Sequence, residues 1–140
     1  MSDLSIFHPA IAMAALTFAV SIRLLFSRVG TMRSERIHPQ SVATSAAMAA
    51  RMSDSRAADN FRNLFELPVL FYMALVVAAV SGLVTPAVLL LAWAFVALRV
   101  VHSAIHCTYN KVMHRFYAYI AGWAVLVALW GTIAIGVLAR

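Results

Sequence analysis

Residues 61–109 read FRNLFELPVLFYMALVVAAVSGLVTPAVLLLAWAFVALRVVHSAIHCTY. Two apolar runs, 61–83 and 86–109, follow each other with only Val84 and Thr85 between them. Each is as long as the ~20 residues that cross ~30 Å of hydrocarbon. Inside a bilayer every backbone polar group needs a partner within the protein, and a helix supplies it within one segment. The runs show none of the period-2 alternation of a barrel strand. Thr85 is placed to cap the second of the two helices, with Pro86 at its first position, where the missing N–H costs nothing. The stretch therefore predicts a helical hairpin that crosses a membrane twice.

Working outward, two further apolar runs cover about 6–29 and 116–138. The expected fold is an all-α integral membrane protein, a bundle of four transmembrane helices in a single membrane domain, 1–140. Composition agrees. The hydrophobic fraction is 64% and the charged fraction 11%, against roughly 45–50% and about 25% in soluble domains. A chain of 140 residues has room for one domain, and small soluble folds leave too much surface exposed to hide this much apolar area. The N-terminus, Met-Ser-Asp-Leu, lacks the basic region of a cleaved signal, so the first run is read as a retained anchor.

Charge sets the orientation. The loops 30–60 and 110–115 carry nearly all the loop Lys and Arg, and the other side carries only Arg140. Basic loops stay inside, so both loops are expected in the cytoplasm and both termini outside. The net charge of +6 is explained by this flanking pattern. No basic run interleaves with aromatics in a soluble segment, which argues against nucleic acid as a partner. Cys107, the single cysteine, lies in an apolar span and reads as a small packed residue. Tyr117, Tyr119 and Trp123 read as an interfacial aromatic belt. Within the first loop, Ser41 to Met52 suits a short interfacial helix or an extension of a spanning one.

The informative residues are the polar ones inside spans, where one charge at the centre costs ~2.5–3.5 kcal/mol even on mild insertion scales. In the second span Asp59, Asn63 and Glu66 share a helix face, Arg62 and Glu66 stand at i and i+4 where they would neutralise one another, and Pro68 removes a helix hydrogen bond. In the third span Arg99, His102, His106 and Tyr109 stand at i, i+3, i+7 and i+10, one stripe down a helix. A buried arginine needs a partner, and Glu66 is the candidate. A plain Glu66–Arg99 ion pair between helices would account for both residues; a polar cavity holding an anionic ligand would use them further. His102 and His106 have the i, i+4 spacing of metal ligands on one helix, with Glu66 as a conceivable third. No second His, Cys or Glu pair occurs in another span, and Arg62 and Arg99 would repel a cation, so no metal is expected.

The stretch Asn60-Phe61-Arg62-Asn63-Leu64-Phe65-Glu66-Leu67-Pro68-Val69-Leu70-Phe71-Tyr72 resembles the helix-two signature of the MAPEG family, the membrane-associated proteins of eicosanoid and glutathione metabolism. Ala97-Leu98-Arg99-Val100-Val101-His102 is similar to the helix-three stretch of bacterial members. The resemblance implies a left-handed four-helix bundle assembled as a homotrimer, here in a bacterial inner membrane. It also implies sites between subunits near the cytoplasmic face. In enzymatic members glutathione is the co-substrate, held by arginines, the helix-two Asn and Glu and helix-three tyrosines, and another arginine stabilises its thiolate. Carried over, Asn63, Glu66 and Arg99 match directly. Arg56, Arg62, His102, His106 and Tyr109 complete the implied glutathione-binding set, and Arg115 and Lys111 are the candidates for the thiolate-stabilising cation. The chain departs from the pattern at Asp59, where glutathione-binding members carry an arginine, and at His102 and His106, where they carry tyrosines.

Two functions follow as expectations. One is a glutathione-dependent transferase or peroxidase acting on lipophilic small molecules drawn from the membrane lipid. The alternative is a non-catalytic binding or scaffold protein of the same fold, for a lipid or other acidic ligand.

Overall fold

The computed structural model of the chain describes residues 4–52 and 54–139. Met1 to Asp3, Ser53 and Arg140 lie outside the described residues, and with them most of the sequence reading of the N-terminus and the C-terminal arginine. A 3-10 turn at Leu4–Ile6 leads into α1 (Phe7–Ser34). A second 3-10 turn at Pro39–Val42 precedes the short α2 (Ser45–Arg51). Then come α3 (Arg56–Asn63), α4 (Leu67–Val80), α5 (Pro86–Cys107) and α6 (Val112–Leu138). No strand occurs among the described residues.

Among the described residues four stretches are long and apolar enough to cross a membrane: Leu4–Ser34, Arg56–Val80, Pro86–Cys107 and Val112–Leu138. Their outward faces are apolar as well. Phe18, Phe26, Val80 and Leu90 are each at least 70% exposed, a surface that water would not tolerate over so much of a small protein. The chain is an integral membrane protein.

Packing inside the bundle relies on small residues that let helices approach. Ala74 and Ala78 on α4 and Ala92 on α5 are fully buried. The rings of Phe71 and Phe95 stack with centroids 4.6 Å apart between α4 and α5. Met13 and Val20 from α1 and Leu126, Leu129 and Ile133 from α6 complete this core. Trp130 on α6 donates its indole N–H to the Leu70 carbonyl at 3.2 Å, tying α6 to α4.

The α4–α5 turn has two capping devices. Leu83 N–H bonds to Ala78 O and Gly82 N–H to Ala79 O, the Schellman pattern, with Gly82 at φ +60. The Thr85 hydroxyl then accepts from Val88 N–H at 3.2 Å, and Pro86 opens α5. This is the cap expected from the sequence.

Candidate functional site

The second span is broken. Pro68 has no N–H to give the carbonyl four residues back, and the chain turns through residues 64–66 between α3 and α4. At the start of α4 the proline sits where an amide would have no intrahelical partner in any case. The cost falls on the end of α3, whose last carbonyls lose the continuing helix. Among these, the Asn63 carbonyl accepts from Glu66 N–H at 3.4 Å and from Arg99 Nη2 at 2.7 Å. A cation at a helix C-terminus also meets the negative end of the helix dipole.

This arrangement corrects the pairing expected for Arg99. Glu66 is exposed, and no ion pair joins it to Arg99 or to Arg62 among the described residues. The i, i+4 relation between Arg62 and Glu66 holds only on a continuous helix, and the break turns Glu66 off that face. Arg62 lies instead 3.7 Å from Asp59.

On α5 the stripe is real through its middle and fails at its end. Arg99, His102 and His106 are all buried, at 0%, 3% and 1% exposure. Tyr109 lies beyond the end of α5, is exposed, and pairs its hydroxyl with His114 Nδ1 at 3.1 Å. The next helix closes the cluster. Arg115 Nη1 donates to His106 Nε2 at 2.7 Å and to Asn110 Oδ1 at 2.8 Å. Its carbonyl accepts from His102 Nδ1 at 3.1 Å. Asn110 reaches this position with φ +50, a left-handed conformation that asparagine tolerates better than most residues.

These partners fix the imidazole tautomers. A carbonyl can only accept, so His102 carries its proton on Nδ1 and leaves Nε2 as a lone pair. A guanidinium can only donate, so His106 accepts through Nε2 and keeps its proton on Nδ1. His102 Nε2, His106 Nδ1, and Arg99 Nε and Nη1 are buried without a hydrogen-bond partner. Such a concentration of unmet polar atoms is uncommon in a folded interior.

Beside the cluster lies a cleft of about 210 Å³, lined by Asn63, His102, Val112, Arg115, Phe116 and Tyr119. The Arg99 guanidinium sits 5.9 Å from the centre of the Tyr119 ring, within cation–π range. Further along α6, an apolar groove of about 400 Å³ runs between α4 and α6 past Leu67, Leu70, Trp123, Val127 and Trp130. Phe116, Tyr119, Trp123, Val127 and Trp130 repeat at i, i+3, i+7, i+11 and i+14. One face of α6 thus passes from the polar cleft into the apolar groove.

Of the residues singled out from sequence, Asn63, Arg99, His102, His106 and Arg115 come together here. Lys111 is exposed at the start of α6 and Arg62 is exposed on α3. Arg56 clamps a different place: Nη1 donates to Thr108 O at 2.7 Å, while Nε and Nη2 each bond the Asp54 carboxylate at 2.8 Å. Those bonds hold the Asp54 carboxyl down at about 2, below its usual 3.8. Arg23 adds a second cap on the end of α5, with Nη2 2.5 Å from Cys107 O.

Two residues escaped the sequence reading. Tyr119, taken as part of a belt, turns into the cleft; its spacing of four from Arg115 was the available signal. Asn60 is fully buried, accepts from Ser103 Oγ at 3.2 Å and donates to Cys107 Sγ at 3.4 Å, stitching α3 to α5. A second asparagine three residues before Asn63 was its mark. The His102 and His106 rings meet edge to face at 5.7 Å, and the described residues form no group of three metal-ligating side chains.

The sequence model of the MAPEG family matches the chain across residues 6–135. No match is found among curated proteins or among solved structures.

Proposed function

The chain belongs to the MAPEG family, and on that premise we propose that it is a glutathione-dependent transferase or peroxidase for lipophilic electrophiles. The observation that carries this reading is the continuous face of α6, polar at the Arg115–Tyr119 end and apolar from Trp123 to Trp130. A conjugating enzyme in a membrane needs those two environments side by side. The polar end suits a hydrophilic anionic thiol peptide; the groove suits a substrate that partitions from the bilayer.

The cleft's chemistry fits glutathione. Behind the cleft wall, Arg99 Nε and Nη1 are buried donors without a partner, suited to a carboxylate or amide oxygen that reaches past Tyr119. Arg115 is held by His106 and Asn110 at the cleft wall. A cation beside a thiol favours the thiolate and so makes the nucleophile at neutral pH. In the proposed step the thiol proton leaves to solvent, the sulfur lone pair forms a bond to the electrophile, and the leaving group departs with its electron pair. The Arg115 guanidinium balances the sulfur charge until attack. Neutral His106, accepting through Nε2, keeps Arg115 aimed without competing for its charge.

Assembly as a homotrimer with sites at the cytoplasmic face, in a bacterial inner membrane with both termini outside, belongs to the same proposal. Shielding of the half-buried Arg115 by a neighbouring subunit would deepen the cleft. The test is calorimetric titration of glutathione into the detergent-solubilised protein. Saturable binding, lost in Arg99→Ala and accompanied by thiol conjugation of a hydrophobic electrophile, is the expected result. A folded protein with no saturable binding overturns the reading and favours a binding protein for another acidic ligand.

A further inference from the structure

A second cavity, away from the Arg99–Arg115 cluster, lies where the end of α1 meets α2 and α3. Its volume is about 280 Å³. Leu24 from α1, Val42 from the 3-10 turn, and Met48 and Met52 around α2 form an apolar bed. Methionines make such a bed adaptable to flexible chains. The polar part of the lining includes Arg28 on α1 and Asp54, Asp59 and Arg62 around α3.

The charges do not cancel evenly. Asp54 is engaged by Arg56 through two side-chain bonds of 2.8 Å. Asp59 accepts from the Ser55 hydroxyl at 2.6 Å and lies 3.7 Å from Arg62. Arg28 is half-buried in the wall, and its guanidinium has no hydrogen bond or ion pair with any described residue. The unmet charge of the cavity is therefore a cation beside an apolar bed. Arg23, five residues before Arg28 on α1, bonds the last carbonyl of α5. The cavity thus sits at and just beyond the end of that spanning helix, the level of lipid headgroups.

We infer that this cavity is a binding site for an anionic amphiphile, whose carboxylate or phosphate meets Arg28 while the first part of its chain lies on Leu24, Met48 and Met52. The volume is slightly below the ~300–1,000 Å³ of sites that enclose whole ligands. It suits a headgroup and a short length of chain, the remainder extending into lipid. The inference does not depend on glutathione binding at the other cluster.

The experiment uses full-length protein carrying ¹³C-methyl methionine, in phosphatidylcholine nanodiscs, titrated with octyl phosphate. Met48→Leu and Met52→Leu spectra assign the two signals. Saturable shifts of the Met48 and Met52 methyls are expected, with affinity reduced about tenfold in Arg28→Gln, the worth of one charge-assisted bond. Filling the bed with Met48→Trp is expected to abolish the remaining Met52 response with Arg28 intact. Nanodiscs containing phosphatidic acid distinguish the sources. Methyls already shifted before titration identify a bilayer lipid as the occupant, and shifts seen only on titration identify a soluble amphiphile; either supports the site. Equal shifts with inorganic phosphate alone would remove the role of the apolar bed and overturn the assignment. So would titration curves unchanged in Arg28→Gln, or competition by glutathione, which would merge this cavity with the first site.

Discussion

The Arg99 guanidinium donates to the main-chain carbonyl of Asn63 across 2.7 Å, and that bond ties the interruption of the second span to the middle of the third. The end of α3 at Asn63 takes its carbonyl out of the continuing helix, and Arg99 meets it there. A buried arginine in a membrane helix is expensive unless it is partnered. Here its partner is a main-chain carbonyl at the helix break, and Nε and Nη1 stay buried without a partner.

Arg99→Ala is expected to lower unfolding free energy by about 1.5–3 kcal/mol, the range for a hydrogen bond to a charged group. Arg99→Lys should recover part of this, since an ammonium can still reach a carbonyl, but should not recover glutathione binding, which needs the forked donors. Equilibrium unfolding in mixed micelles and calorimetry on the same samples separate the two effects. Equal stability of wild type and Arg99→Ala would show that the Asn63 carbonyl gains nothing from its partner.

Gly82 offers a test of the fold that leaves the site alone. Its φ of +60 closes the α4 cap, and a Cβ built there meets nothing within 4 Å. The cost of Gly82→Ala is therefore conformational, about 1–2 kcal/mol for a left-handed non-glycine residue. Thermal unfolding should shift down while ligand affinity stays at the wild-type value.

Much of the fold was legible because its signals are long-range and redundant: four apolar runs and the Thr85–Pro86 start of α5. The site was legible only where helices run unbroken. Arg99, His102 and His106 share a face because α5 is continuous through them. Glu66 and Tyr109 were placed on the same faces by counting residues, yet each lies past a helix end, where the 3.6-residue period no longer sets direction. Gly82 went unread for a related reason, since the apolar run continues to Leu83 beyond the helix that stops at Val80. Tyr119 was misassigned because an aromatic near a span boundary serves equally as belt or as cleft wall until its neighbour across the helix is known.

The stitch between α3 and α5 should show as a coupling. Asn60 bonds both Ser103 and Cys107, so Asn60→Ala and Ser103→Ala remove one interaction twice. A double-mutant cycle is expected to give a coupling of about 0.6 kcal/mol, the average for polar pairs between membrane helices, and below about 1.7. Strict additivity would mean that the Ser103 hydroxyl gains nothing from Asn60.

The Asp54–Arg56 clamp has a defined pH window. Its carboxyl is held at about 2 in the folded protein against an ordinary value of 3.8. A depressed folded value means the contribution is fully present above the ordinary carboxylate range and is lost as pH falls from about 4 through about 2. The pair is substantially exposed, so the effect on global stability is small and screened by salt. Hydrogen exchange in residues 54–60 should rise across that window, and Asp54→Asn should show the raised level already at neutral pH.

Arg115 and Lys111 are the two cations that the family pattern left open for thiolate stabilisation, and their surroundings now differ. Arg115 reaches the cleft wall and is fixed by His106 and Asn110, whereas Lys111 is exposed before the first turn of α6. Arg115→Ala is expected to lower kcat for thiol conjugation by about 10²-fold, the scale at which removing one preorganised electrostatic group acts, and to raise the thiol pKa of bound glutathione. Lys111→Ala should leave both near wild type. His106→Phe keeps Arg115 but removes the atom that aims it, so its loss should fall on kcat more than on KM and should be smaller than that of Arg115→Ala. Thiolate absorbance of the glutathione complex against pH reads the charge effect directly, apart from turnover. If Lys111→Ala suppresses the thiolate and Arg115→Ala does not, the sulfur sits outside the cleft, at the exposed start of α6, and the stripe from Phe116 to Trp130 has no part in presenting the electrophile.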